Sequence, residues 1–122
     1  MQYIGLDLHA KSFGLAALDE ESRLLWEQTR PTSGESLVRS VSALAGVKML
    51  ALEESTLADW AFRLLAPYAQ VIVADPRHNR WIVGDEKIDD LAAAGKLAEL
   101  LRAGLLNPVH HAPRAERQAF KV

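Results

Sequence analysis

Hydrophobic spacing changes period at Pro31, and that change limits the folds open to this chain. Before it, short apolar runs at residues 2–8, 12–18 and 23–29 are separated by the polar turns His9-Ala10-Lys11 and Asp19-Glu20-Glu21-Ser22. Runs of this length joined by tight turns predict three strands in an antiparallel meander. After it, Leu37, Val38, Val41, Leu44 and Ala45 recur at helical spacing. Thr32 or Ser33 is placed to cap that helix, and Gly46 to end it.

Strands and helices then alternate. Residues 47–53 read as a buried strand, and Ser55 or Thr56 caps a second helix with Leu57, Trp60, Ala61, Leu64 and Leu65 on one face. Gln70-Val71-Ile72-Val73-Ala74 is a fifth strand, halted by Asp75-Pro76. A polar stretch, 77–89, precedes an alanine-rich helix over 91–105 with Leu97, Leu100, Leu101 and Leu105 as its core stripe. Residues 107–111 read as extended, and Pro113 opens a last helix over 114–121. The order predicts an α/β fold: a mixed five-stranded sheet, its first three strands antiparallel, with helices on both faces. That order matches the ribonuclease H-like (RuvC-like) arrangement.

A length of 122 residues suits one domain, and 49 % hydrophobic with 25 % charged residues is an ordinary globular balance. We expect this domain to occupy 1–106, with 107–122 the start of a cut-off helical extension. The absence of cysteine excludes a disulfide framework, a thiolate zinc site and a cysteine nucleophile. No signal peptide or apolar run of ~20 residues is evident, so a cytoplasmic location without a membrane partner is expected. A net charge of −2 argues against tight nucleic-acid binding by this chain alone. It leaves room for an acidic metal site.

Asp7 ends the first strand and Glu53 the fourth. If those strands are neighbours, the two carboxylates converge at one sheet edge, the oxygen-rich environment that Mg²⁺ or Mn²⁺ prefers. Taken singly, each is a strand-end residue meeting water; taken together they point to a site. Asp89 and Asp90 precede the third helix, where acidic residues cap the helix and complement its dipole.

Gly5-Leu6-Asp7-Leu8-His9-Ala10-Lys11 resembles the G-x-D-x-H-x-K opening of the DEDD transposases of bacterial insertion sequences, the group of the invertase Piv and the bridge-RNA-guided recombinases. Ala51-Leu52-Glu53-Glu54-Ser55-Thr56 resembles that family's second acidic block, and Val71 through Asn79 its next strand and turn. Asp90 through Arg102 resembles its D-x-x-D-A-x-K-L-A-x-L-L block. By position the resemblance makes Asp7, Glu53 and Asp90 metal-binding catalytic acids. The fourth acid does not match: counting from Lys96-Leu97 puts Ala93 in its slot, and counting from Lys87 pairs Asp89 with Ala92. A missing carboxylate removes an oxygen ligand and a negative charge, so a weak or partial site for Mg²⁺ or Mn²⁺ is expected.

The resemblance implies the N-terminal catalytic-type domain of a transposase or site-specific recombinase, here a fragment or inactivated copy. It further implies DNA as substrate, a structured guide RNA, a C-terminal domain with a nucleophilic serine, and a homo-oligomer. Lys11 and the cluster Arg77, His78, Asn79 and Arg80 are the candidate nucleic-acid contacts, since these side chains bond phosphate oxygens. His9 either orients a phosphate or water, or is a plain turn residue. Two other classes stay open. One is a non-catalytic interaction module, which Ala93 favours. The other is an actin-like ATPase lobe, which needs a glycine-bearing hairpin where this chain has His9-Ala10-Lys11-Ser12.

Overall fold

A computed structural model describes residues 1–76 and 90–109, with Asp90 described by its backbone alone. The meander forms as the apolar runs predict: β1 (Gln2–Leu8), β2 (Ser12–Leu18) and β3 (Leu24–Pro31) pair antiparallel in sequence order. The third strand starts later than its apolar run because the Asp19 carboxylate accepts from the backbone N–H groups of Glu21 and Arg23 and holds that segment in the turn. It ends later because Arg30 and Pro31 still pair with Phe13 and Ser12. Beyond Pro31 the chain forms α1 (Gly34–Ser42), β4 (Lys48–Glu53), α2 (Ala58–Leu65), β5 (Gln70–Ala74) and α3 (Asp90–Ala103). The sheet order is β3-β2-β1-β4-β5, with β4 parallel to both β1 and β5.

Alternation along each strand assigns its side chains to faces. Ile4, Leu6, Phe13, Leu15, Leu50, Leu52 and Val73 join Leu37 and Val41 of α1 and Ala58, Ala61 and Leu65 of α2 in the main core. The intervening residues, among them Gly5, Ala16, Ala51 and Ala74, lie on the opposite face, where α3 packs against β1 and β2. Helices therefore cover both faces.

Helix α3 presses onto β1 with almost nothing between them. A methyl group at Gly5 would stand 1.9 Å from the carbonyl oxygen of Ala94 and 2.7 Å from the backbone nitrogen of Ala98. Further along, Glu99 reaches Ser22 in the β2–β3 turn, and Arg102 lies within electrostatic range of Tyr3. The helix thus runs antiparallel to β1, and its N-terminus points to the end of the strand that carries Asp7.

Several local expectations are corrected. Ser33 caps α1, its hydroxyl accepting from Ser36 N–H at 3.0 Å, but the helix ends at Ser42, and Gly46 (φ 83°) serves the following loop instead. The N-cap of α2 is Leu57, with no side-chain cap; the Ser55 hydroxyl accepts from Leu57 N–H at 3.3 Å and shapes the entry turn. Trp60 is 39 % exposed and Leu105 61 % exposed, so neither belongs to the core. Ala58 takes the buried position on α2, and Ala93, Ala94 and Ala98 share the buried stripe of α3 with Leu97, Leu100 and Leu101. Pro108 bridges to Ala74, and Val109 N–H donates to Val73 O at 2.8 Å, so residues 108–109 flank β5. Among the described residues no helix is long and apolar enough to cross a membrane.

Candidate functional site

The last parallel partners of β1 and β4 are Leu6 and Leu52, so Asp7 and Glu53 are the next residues on two adjacent strands. Asp7 shares the face of Gly5, and Glu53 that of Ala51, so both belong to the side covered by α3. Across the antiparallel pair, Asp7 stands opposite Gly14, which places no side chain beside it. Parallel pairing and a shared parity therefore bring the two carboxylates together at the carboxyl ends of the strands.

The electrostatics agree with that placement. Burial raises the Glu53 carboxyl above its ordinary value, and the negative charge of Asp7 raises it further. Two acids that oppose each other's ionisation form an environment that a cation relieves. His9 joins them from the β1–β2 turn, its Nε2 standing 3.0 Å from the Asp7 Oδ2. The turn is held by His9 N–H donating to Ser12 O at 3.0 Å and by the Thr32 hydroxyl donating to His9 O at 2.7 Å. Lys11 sits exposed in the same turn, its carbonyl accepting from Thr32 N–H at 3.0 Å.

Asp90 opens α3. Its backbone precedes Ala94 by one helical turn, about 6 Å along the axis, on the side of the helix that meets Gly5 and toward the Asp7 end of β1. Of the two alanines in line for the fourth acidic slot, Ala93 is buried at 8 % exposure while Ala92 is exposed. Among the described residues no group of three acidic or imidazole side chains is gathered as a metal cage. Asp7 and Glu53 are the described carboxylates that stand together, and Asp90 lies at the N-terminus of the helix that points toward them. Arg77, His78, Asn79, Arg80 and Asp89 lie outside the described residues.

Gly5 is a positioning residue of the fold that the sequence reading does not single out beyond its place in the opening string. It is the position that lets α3 approach. A glycine inside an apolar strand is the available signal, since it marks a close backbone approach.

No protein-family model matches the chain. No curated protein matches it either. Among solved structures it is similar to Thermus thermophilus RuvC, at 16 % identity and a TM-score of 0.62, covering 89 % of this chain and 100 % of that one. It is also similar to T. thermophilus RuvC in complex with a Holliday junction substrate, at 16 % identity and a TM-score of 0.58, covering 89 % of this chain and 99 % of that one. The fold is a RuvC-like member of the ribonuclease H-like class.

Proposed function

We propose that this chain is a RuvC-like domain for metal-dependent nucleotidyl transfer on DNA, of the transposase and site-specific recombinase kind, carrying an incomplete acid set. The observation that carries the proposal is the Asp7–Glu53 pair at the carboxyl ends of adjacent parallel strands, with α3 aimed at it. The motif resemblance supports the finer assignment, and the Holliday junction bound by a RuvC of similar fold supports DNA as the partner.

The donor set fits a hard divalent cation: carboxylate oxygens, no thiolate, and one carboxyl whose ionisation its neighbour opposes. Asp7, Glu53 and Asp90 would hold Mg²⁺ or Mn²⁺, which when bound supplies charge stabilisation to an in-line displacement at phosphorus. The remaining work falls to protein groups. His9 fixes the orientation of the Asp7 carboxylate through its ring Nε2. Lys11, two residues on, is available to a backbone phosphate. Ala93 supplies neither oxygen nor charge, so the site holds fewer cations than a four-acid set, and the chain alone has weak or no strand-cutting activity. In the whole recombinase that the motifs resemble, a serine domain, a guide RNA and further copies of the chain complete the machinery.

Ala93 also favours a second reading, an interaction module that kept the fold and lost the chemistry. Calorimetric titration with Mn²⁺ separates the two. The catalytic-type reading predicts binding that Asp7→Asn abolishes. Absence of binding, or binding indifferent to Asp7→Asn, supports the interaction module instead.

A further inference from the structure

On the face of the sheet away from the acid pair, β3 and α1 enclose an open groove of about 480 Å³. Its strand side presents Trp26, Gln28 and Arg30, and its helix side Arg39 and Ser40. The strand residues alternate along β3 and share the parity that faces α1; their partners on β2 are Ala17, Leu15 and Phe13 of the main core. Trp26 packs its inner part on that core and is only partly buried. Gln28 Nε2 donates to the Ser40 hydroxyl at 2.7 Å, which ties strand to helix and fixes the groove floor. The groove therefore combines two guanidinium groups, an indole and a held side-chain amide in a chain of net charge −2.

We infer that this groove binds single-stranded nucleic acid, its phosphates on Arg30 and Arg39 and a base on Trp26. The inference rests on the proposed function for the strand's origin and adds the track it follows. Guanidinium groups recognise phosphate oxygens in a forked geometry, and an aromatic face accepts any base. Arg39 is paired with Glu35 at 2.7 Å, but both side chains are more than 70 % exposed. Such a pair contributes little and exchanges readily for a phosphate.

The groove also connects to the acid pair. Residue 32 is bonded to both His9 and Lys11 in the β1–β2 turn. Ser12 pairs with Pro31 and Phe13 with Arg30. These pairings put Lys11 and Arg30 at the same end of the sheet as Asp7, and Arg30 lines the groove together with Arg39. A strand held at the carboxylates would pass Lys11 and continue onto the opposite face of the sheet. A net charge of −2 argues against tight binding by this chain alone, and a groove with a few aligned cations is compatible with that.

The test is binding of a fluorescein-labelled oligothymidylate of about 12 nucleotides, a length suited to a single groove, followed by anisotropy across a salt series. Arg30→Ala/Arg39→Ala should weaken binding by about tenfold or more and flatten the logarithmic salt dependence by about 1.4, two phosphate contacts' worth for a single strand. Trp26→Leu should weaken it about fivefold with the salt dependence unchanged, as loss of stacking requires. The charge-matched control Arg23→Ala/Arg63→Ala, on arginines outside the groove, should stay within about twofold of the parent. A Trp60→Phe/Trp81→Phe chain, with Trp26 its only indole, should show fluorescence quenched by the oligonucleotide; circular dichroism verifies the fold of every variant.

Equal losses in the groove and control variants, or unquenched Trp26, would overturn the inference. Displacement of the oligonucleotide by polyglutamate at equal charge would instead identify a site for an acidic polypeptide. No binding of the oligonucleotide at low salt also overturns it. The proposed function is judged separately, by Mn²⁺ binding at Asp7, which the Arg30→Ala/Arg39→Ala chain should retain unchanged.

Discussion

The two faces of the sheet are packed by different means. Toward α1 and α2 the strands present Ile4, Leu6, Phe13, Leu15, Leu50 and Leu52, and the helices answer with Leu37, Val41 and Leu65. Toward α3 they present Gly5, Ala16, Ala51 and Ala74, and the helix answers with Ala93, Ala94 and Ala98. Large side chains hold a helix away from a sheet and repack when one of them changes. Where backbone meets backbone, no side chain is left to adjust. The thin face fixes α3 more tightly along β1, and it is the face on which Asp7 and Glu53 stand. A site that needs an acid from a helix beside acids from strands gains from that rigidity.

The sharpest way to break this contrast is substitution at neighbouring residues of β1. Gly5→Ala drives a methyl group into the Ala94 carbonyl and should cost at least ~3 kcal/mol or prevent cooperative folding, because the helix itself must move. Ile4→Val, one residue away on the thick face, should cost only ~0.5–1.5 kcal/mol. Urea denaturation of both variants checks the difference. Equal costs would mean that α3 rides freely over the strand.

A smaller effect tests the thick face at its edge. Ser33→Ala removes the one side-chain cap of α1 and should lower stability by about 1 kcal/mol. Metal affinity should not change, since α1 packs on the face away from the acid pair. A loss of Mn²⁺ binding in this variant would show that the two faces are coupled.

At the acid pair itself, Glu53→Gln removes the opposition between two carboxylates. Glu53 is partly buried and still meets solvent, so screening limits the gain in metal-free stability to about 1 kcal/mol. The same variant should lose any stabilisation by Mn²⁺, seen as a melting temperature that no longer rises with the ion. Destabilisation of the metal-free chain by Glu53→Gln would contradict the repulsion.

The weakest effect is in the pH dependence. A carboxyl whose pKa is raised by folding keeps its proton more tightly in the folded chain, so the folded state is favoured at low pH. That advantage is lost as pH rises from the usual glutamate value of about 4.3 through the raised value of Glu53. Melting temperature should therefore fall slightly over that interval, and the fall should vanish in Glu53→Gln and in saturating Mn²⁺. A rise over the same interval in the parent that Glu53→Gln removes would reverse the sign assigned to the group.

Much of the fold was legible because it is written locally. Short apolar runs before Pro31 and helical spacing after it yield the order of elements. The adjacency of the first and fourth strands, on which the meeting of Asp7 and Glu53 depends, comes from the sheet order itself. Other features depend on partners distant in sequence. Trp60 has the spacing of a core residue, yet Ala58, Ala61 and Leu65 fill the side of α2 against the sheet and leave the indole partly in solvent. Leu105 continues the apolar stripe of α3, but Gly104 takes a left-handed conformation (φ 73°) and turns the chain before it. The groove between β3 and α1 was not visible at all, since Arg30 and Arg39 meet only when strand and helix pack. Ala93 shows the opposite case: its slot comes from motif spacing alone, and the structure adds that the residue is buried.

The central claim is that Ala93 occupies a ligand position beside Asp7 and Glu53. Calorimetric titration of Mn²⁺ into the parent chain and into Ala93→Asp tests it most directly. The account predicts that the aspartate adds bound Mn²⁺ beyond the parent's count, and that Asp7→Asn removes the addition. An Ala93→Asp chain that folds and binds no more Mn²⁺ than the parent would contradict it.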